Sequence, residues 1–496
     1  MKTIPKKYLW LSALILFINL LFRLINQSKL ITVFPLDTVN DYSGHMAMLF
    51  FLKDCGFHQI CPYWYHGYTT FSSYTPGWAF FTYPIYLLLN NILLATYLSL
   101  IILLVIGFYM IYKFGKMQGF SFLYSVVFFL FVFANPMSIG DFIRLGRMSE
   151  LFSWVIFIPL FFLSIEYVNK KLDKFFYIIF IIFYTILMIS HPVTIILAHI
   201  MLFGLFLVIN KADKIKMIFL MILGLILSSF WWFNYLLQLK NNSILNYSMG
   251  TRSLEFSGQW LLTNIVGIII PIVLLVISFL YFYKNRIKKE FIFFLPILIL
   301  TILFLFRITA FLPILDKVYP DSVITLLIFF IVYYLLKIDF NLYKSWIKKI
   351  IILGIIFFAV LSIIANAVHT PYFVDHTPLE NNILSLLEEL PKDSKFVIFG
   401  INSTTSYSNA YYSYAPIFLN LSTSGGWSYS EKDAEYVKKF KAINQLLNEK
   451  NCEAITENLN YVNTTHIITQ NDNCNTLEFC NLKKLKQIND VCLFQT

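Results

Sequence analysis

The sequence predicts an all-α polytopic membrane domain of about eleven transmembrane helices with a small C-terminal extracytoplasmic α/β domain. Three observations carry that prediction. Apolar runs of near-spanning length recur from Leu9 to Asn366. The chain is 58% hydrophobic and 13% charged, with mean hydropathy +0.70, whereas a soluble domain averages about 45–50% apolar and ~25% charged. From about Ala367 the composition turns polar, and four of the six cysteines gather there.

The runs lie near Leu9–Ile25, Asn91–Tyr112, Phe120–Asn135, Leu151–Tyr167, Phe175–Ile189, Val193–Ile209, Met217–Leu237, Trp260–Phe282, Phe291–Phe306, Val323–Leu336 and Ile350–Asn366. A helix needs about 20 residues to cross the hydrocarbon core, so the shorter runs extend beyond these bounds or the bilayer thins around them. A further run, Pro76–Asn90, is short and carries Pro76 and Pro84. Charge decides its role. If it lies in the interface, the basic clusters at Lys2/Lys6/Lys7, Lys113/Lys116, Lys170/Lys171/Lys174, Lys211/Lys214/Lys216, Lys284–Lys289 and Lys337–Lys349 all share one side. If it spans, the later clusters contradict the first. The positive-inside rule therefore predicts a multi-pass protein of the plasma membrane with a cytoplasmic N-terminus.

The net charge of +11 resides in these clusters, where anionic headgroups of the bilayer are the fitting partner; nucleic acid is excluded as one. Cys55, Cys61, Cys452, Cys474, Cys480 and Cys492 all fall on the face assigned as exoplasmic, as do the Asn-x-Ser/Thr sequons at Asn26, Asn241, Asn246, Asn402, Asn420 and Asn463. An even cysteine count there predicts disulfides. The first run lacks a small-residue cleavage site and reads as a retained span. The expected domains are thus 1–366 in the membrane, with 26–90 as a first exoplasmic loop, and 367–496 as the soluble domain.

That first loop is long for a plain connection. Asp37, Asp41 and His45 are spaced i, i+4, i+8, which on a helix places them on one face. Met46, Leu49, Phe50 and Leu52 are then expected to rest on the bilayer surface. Ionisable groups at a membrane are costly and point to function. The alternative is a helix-capping role for Asp37 and a plain interfacial role for His45.

The run Asp41-Tyr-Ser-Gly-His45, then Cys61-Pro62-Tyr-Trp64-Tyr-His-Gly67-Tyr, then Ser73-Tyr74-Thr-Pro76-Gly-Trp resembles the C-type glycosyltransferase (GT-C) superfamily, with its acidic residue after the first span and its Tyr-x-Pro turn. More narrowly it resembles prokaryotic membrane proteins labelled 6-pyruvoyl-tetrahydropterin synthase-related, although nothing in the residues suggests pterin chemistry. Gly146-Arg147-Met-Ser-Glu150 and Ser190-His191-Pro192 resemble two further motifs of that group. Thr69 and Gly77 depart from its pattern. The resemblance covers roughly Asp37 to Pro192. It implies an enzyme that takes a sugar from a polyprenyl-phosphate-linked donor on the exoplasmic face and passes it to a glycan, lipid or protein acceptor in surface glycan or glycoprotein assembly.

Such chemistry asks for a general base at the acceptor; Asp41 is the first candidate, Asp37 the second, and His45 a catalytic partner to either. A leaving phosphate asks for cations aimed at it. Arg144 and Arg147, just before a helix, suit phosphate oxygens, with Glu150, His191, Arg252 and Arg307 as further substrate-binding candidates. The alternative for the two arginines is pairing with Asp141 and Glu150. No cofactor is certain; Asp41, Asp141 and Glu150, with Asp37, are candidate ligands for Mg²⁺ or Mn²⁺, hard cations that prefer oxygen. Trp231-Trp232 and the loop to Arg252 are candidates for a donor entrance, or an ordinary aromatic belt.

In the C-terminal domain, Leu379–Leu390 and Ala434–Lys450 read as helices, and Lys395–Phe399 and Thr465–Thr469 as strands. Its four cysteines allow three pairings, while Cys55 and Cys61 suit a separate small loop. Ser424-Gly-Gly-Trp427 reads as a turn with an exposed aromatic. A transporter or flippase of lipid-linked glycans, or a non-catalytic scaffold, remains the alternative. A transporter would more often show paired halves, and no internal repeat is evident.

Overall fold

The computed structural model describes residues 5–239, 249–257, 260–285, 288–339, 342–400, 407–427 and 434–496. The sequons at Asn241, Asn246 and Asn402 lie outside the described residues, as does most of the loop that precedes Arg252. The chain divides into two compact units. One comprises Met1–Gln27, Leu100–Phe230 and Tyr247–Tyr372; the other comprises Ser28–Ser99, Trp231–Asn246 and Phe373–Thr496. The first loop thus groups with the C-terminal segment, and no single cut near residue 366 separates the units.

The first unit is a bundle of apolar helices. The helix Met148–Glu166 is wholly buried and Pro320–Lys337 nearly so, while Lys6–Gln27, Leu261–Asn285 and Ser345–His369 bury only one side. On the first of these, Leu9, Ala13, Leu16 and Leu20 face inward, whereas Trp10, Leu14, Phe17, Leu21 and Phe22 are exposed. An apolar outer face of this extent suits lipid. Helices also satisfy their own backbone groups, as the hydrocarbon core requires.

Each of the eleven apolar runs falls on helical structure, but eleven crossings are not established. Among the described residues six helices are long and apolar enough to cross a membrane, or up to eight if two bent pairs each count as one span. The pairs are Phe122–Phe133 with Pro136–Leu145, bent by 60°, and Lys211–Leu227 with Ser229–Leu237, bent by 74°. Lys174–Met188 and Pro192–Val208 are shorter, and Lys288–Leu305 opens with Lys288, Lys289 and Glu290. Pro76–Asn90 forms the helix Gly77–Leu89, held below spanning length by its flanking turns.

The abundant Phe residues interlock at the bundle centre. Phe161 meets Phe329 at 4.9 Å and Tyr333 at 5.0 Å, and Phe128 meets Phe329 at 4.9 Å, all edge to face; this is the favoured geometry for aromatic quadrupoles. Small residues allow close helix approach elsewhere, as is usual in membranes. Gly204 faces the helix Lys288–Leu305 so closely that a Cβ would lie 1.9 Å from the Phe293 carbonyl oxygen.

The second unit holds a hairpin, β1 (Ile60–Cys61) with β2 (Tyr68–Thr69), and a five-stranded mixed sheet. The sheet strands are β3 (Lys395–Ile398), β4 (Ser422–Thr423), β5 (His466–Gln470), β6 (Lys483–Ile488) and β7 (Val491–Gln495), in the order β4-β3-β5-β7-β6. β3 pairs parallel to β4 and β5; β7 is antiparallel to β5 and β6. β5 is buried along its whole length, as suits a strand covered on both faces. The edge strand β6 carries Lys483, Lys484 and Lys486 outward, which discourages further strand pairing. Helices Pro378–Glu388 and Ala434–Glu449 form where expected. The β6–β7 hairpin and the helix Cys452–Tyr461 were not expected, because their polar runs lack a strong period.

Disulfides close Cys55–Cys61, Cys452–Cys480 and Cys474–Cys492. The first loop is bound to the sheet. Thr423 N donates to Tyr63 O at 2.7 Å, Trp64 bridges to Thr423, and the Trp64 indole donates to Tyr412 O at 2.8 Å.

The close approach at Gly204 makes a direct prediction. Gly204→Ala should cost about 1–3 kcal/mol through overpacking, read as a lower Tm of the detergent-solubilised protein. Gly354→Ala, where nothing lies within 4 Å of a new Cβ, should leave Tm unchanged or raise it.

Candidate functional site

Two polar groups stand out, one in each unit. In the second unit the chain turns sharply before the helix Tyr42–Asp54. Asp37 Oδ1 accepts from Val39 N at 2.8 Å, closing a tight turn. Asn40 then caps the helix: its Oδ1 accepts from Ser43 N at 2.9 Å, while its Nδ2 donates to Pro35 O and Ser43 Oγ. Asp37 therefore lies outside the helix, and the expected three-residue face does not form. Asp41 and His45 do share a helical turn, with His45 N donating to Asp41 O at 3.1 Å. Because Asn40 takes the capping bond, the Asp41 carboxylate makes none.

Met46, Leu49 and Leu52 are buried within this unit, not laid on a surface as expected. His45 is 5% exposed and sits among Tyr74 and Trp78, at ring distances of 5.5 and 5.2 Å. Its Nε2 is 3.4 Å from the Tyr74 hydroxyl. Trp427, expected as an exposed aromatic, is half-buried: its indole donates to Ser413 Oγ at 2.8 Å, and its ring lies where a Cβ on Gly44 would be, at 2.8 Å. Gly44 in the Asp-Tyr-Ser-Gly-His run is thus a packing requirement. Tyr407 stacks edgewise on Trp427 at 5.4 Å, and burial followed by the nearby Asp41 carboxylate pushes its hydroxyl up. Trp231 is a strut, donating to Phe71 O and Tyr74 O at 3.1 and 3.0 Å.

In the first unit the short helix Pro136–Ser138 runs into a π-helical turn, Ile139–Leu145, that ends on Gly146 with φ +83. Only glycine adopts that conformation without steric cost. The next residue, Arg147, opens the helix Met148–Glu166 and lies among three carboxylates. Its Nη1 is 2.8 Å from Asp321 Oδ2, 3.6 Å from Asp141 Oδ1 and 3.6 Å from Glu150 Oε2. Its guanidinium also stacks over Tyr319 at 4.8 Å. Glu150 is 2% exposed and accepts at Oε1 from Ser322 Oγ at 2.6 Å and from the Trp154 indole at 3.3 Å. Asp321 Oδ1 accepts from Ser322 N at 2.9 Å.

His191 occupies the N-cap position of the helix Pro192–Val208 without a side-chain capping bond. Burial and then Arg147 push its imidazole down to about 3, with Asp321 opposing, so it is neutral near pH 7. The buried Arg144 donates from Nε to Pro371 O at 3.2 Å. Arg252 stacks on Trp260 at 4.7 Å and on Tyr319 at 5.5 Å. Asn264 ties its segment down by donating to Arg252 O and Glu255 O, and the Asn264 carbonyl accepts from Arg307 Nη2 at 2.7 Å. Arg307 is 8% exposed, and its Nη1 has no hydrogen-bond partner among the described residues. A small cavity of about 10 Å³, near the size of one water, lies near these groups, lined by Gly250, Ser253, Phe304, Thr309, Val318 and Pro320.

Sequence reasoning named Asp141, Arg147, Glu150 and His191, which the structure brings together, but missed Asp321, Ser322 and Tyr319. Glu150 was named through the Gly-Arg-Met-Ser-Glu motif; an acidic residue at the head of an apolar run, as in Pro320-Asp321-Ser322, is the signal that could have found Asp321. Among the described residues no group of three or more His, Cys, Asp or Glu is arranged to hold a metal ion. Asp141, Glu150 and Asp321 are instead drawn around a guanidinium, an arrangement that does not fit them as ligands for Mg²⁺ or Mn²⁺.

No protein-family model matches the chain, and no curated protein matches its sequence; the narrower resemblance to the tetrahydropterin-labelled group finds no support. Solved structures do match. The arabinofuranosyltransferase AftD from Mycobacteria is 12% identical with a TM-score of 0.58, over 100% of this chain and 40% of that one. The oligosaccharyltransferase AglB from Archaeoglobus fulgidus, solved with an inhibitory peptide and a dolichol-phosphate, is 11% identical with a TM-score of 0.58, over 92% of this chain and 69% of that one. This chain therefore spans well under half the length of the arabinofuranosyltransferase. At such identities the likeness shows the fold, which is GT-C-like, in a multi-pass membrane protein.

The charge arrangement in the first unit is testable by stability. Arg147→Gln leaves three carboxylates without their counter-charge and should cost about 3–5 kcal/mol, the usual penalty for breaking a buried ion pair. The double variant Arg147→Gln/Asp321→Asn should recover part of that loss in the same thermal melt.

Proposed function

We propose that this chain is a membrane glycosyltransferase that moves a sugar from a polyprenyl-phosphate-linked donor to a glycan, lipid or protein acceptor. The observation that carries this reading is the fold likeness, over 92–100% of the chain, to an arabinofuranosyltransferase and an oligosaccharyltransferase. The N-terminus is cytoplasmic in this reading, and the disulfide-bearing C-terminal segment is extracytoplasmic. The pattern of basic clusters and the three disulfides support that placement.

Asp41 is the general base. The acceptor hydroxyl passes its proton to the Asp41 carboxylate as the acceptor oxygen bonds the anomeric carbon. The bond from that carbon to the phosphate oxygen breaks, and the polyprenyl phosphate departs with the electron pair. Asp37 is spent on its own turn, accepting from Val39 N, which favours Asp41 over it. His45, one turn along, orients that carboxylate.

Departing phosphate requires positive charge. Arg147 faces more negative than positive charge, so an anion there is disfavoured; its role is to hold Asp141, Glu150 and Asp321. Arg144 is committed to the Pro371 carbonyl. Of the first unit's cations Arg307 is the better phosphate candidate, since its Nη1 meets no hydrogen-bond partner among the described residues.

Asp41→Asn should lower transfer by about 10²–10⁴-fold, the range for loss of a general base, and Asp37→Asn by much less. Mass spectrometry of lipid-linked and surface glycans in wild-type, deletion and Asp41→Asn cells checks this. Loss of the same sugar in deletion and variant supports transfer. Glycans of unchanged composition that accumulate on the inner leaflet would point to transport instead.

A further inference from the structure

We infer that Asn463 is a glycosylation site, carrying an N-linked glycan that is attached before the C-terminal sheet closes. This rests on the extracytoplasmic placement of the C-terminal segment proposed above. Three sequons fall on described residues, and their surroundings differ sharply. Asn26 lies within the first span, Lys6–Gln27, inside a helix whose backbone is committed to its own hydrogen bonds. Asn420 is exposed, but its Oδ1 lies 2.7 Å from the Tyr63 hydroxyl and so helps bind the first loop to the sheet. Asn463 is exposed just past the helix Cys452–Tyr461, at a corner with φ +51, and its carboxamide makes no hydrogen bond among the described residues. A bulky hydrophilic group at that corner displaces no packing, as a sequon on a surface turn allows.

The third sequon residue sets the timing. Thr465 Oγ1 accepts from Lys395 N at 2.8 Å and contacts Lys395 O and His466 Nδ1 at 3.2 and 2.9 Å. Thr465 N also donates to Lys395 O at 2.8 Å. In the folded unit this hydroxyl is committed to joining β3 to β5. A transferring enzyme that reads Asn-x-Thr by its hydroxyl finds it accessible only before those strands pair. The donor is a lipid-phosphate- or lipid-pyrophosphate-linked oligosaccharide. The Asn463 side-chain nitrogen bonds the anomeric carbon, the carbon–oxygen bond to phosphate breaks with its electron pair on the phosphate, and the amide proton leaves to a base.

The test expresses the full chain in a cell that N-glycosylates its exported proteins, followed by peptide mass spectrometry and non-reducing electrophoresis. The expected result is a glycan mass on the peptide containing Asn463. It should be lost in Asn463→Gln and kept in Asn420→Gln, with the disulfides formed in every case. Enzymatic removal of the glycan converts the carrying Asn to Asp, and the resulting mass shift on the peptide marks the occupied site. Formed disulfides with an unmodified Asn463 would overturn the proposal while leaving the placement intact. Absent disulfides together with an unmodified Asn463 would overturn both. A glycan on Asn420 alone would overturn the assignment to Asn463.

Discussion

The first unit is organised around the guanidinium of Arg147. It meets Asp321 at 2.8 Å and Asp141 and Glu150 at 3.6 Å, in a bundle whose neighbouring helices are apolar. Charges removed from water cost several kcal/mol each unless they are paired and hydrogen-bonded. The pairing therefore requires that the π-helical turn Ile139–Leu145, the head of Met148–Glu166 and the head of Pro320–Lys337 converge. The two most deeply buried helices of the unit are the two whose first turns bear on this cation. Below that point, apolar packing and edge-to-face rings such as Phe161 on Phe329 complete the contact.

The carboxylates are held by more than the arginine. Ser322 and Trp154 donate to Glu150, and Ser322 N donates to Asp321. Each bond lowers the cost of retaining negative charge in a site of low dielectric. This excess of acid over base also sorts the candidate cations. Arg147 is already matched, whereas Arg252 rests on aromatic faces and Arg307 keeps one nitrogen without a hydrogen-bond partner among the described residues. In the proposed transferase this places the phosphate away from the Gly-Arg motif, whose cation is already matched by carboxylates.

In the second unit the motif residues of the first loop serve two ends. Trp64, Tyr63 and Gly44 pack against residues beyond position 400, at Tyr412, Asn420 and Trp427. A sequence run that resembles a catalytic motif therefore consists largely of docking residues. Asn40, beside Asp41, takes the helix cap.

The sequence by itself determined the membrane class, the position of each apolar run, the disulfide-bearing polar segment and the acidic and basic residues at the helix ends. Those features are written in composition and charge, and the bilayer reads them directly through the cost of burying polar groups. Whether a run of 15–18 residues crosses was not legible, because Lys174–Met188 and Pro192–Val208 fall short of the usual length and only neighbouring helices set their depth and tilt. Only the tertiary structure brought Asp321 to Arg147 across 174 positions, turned Asp37 off its helix and pressed Trp427 onto Gly44. Such contacts depend on which elements meet, and local periodicity carries no record of that.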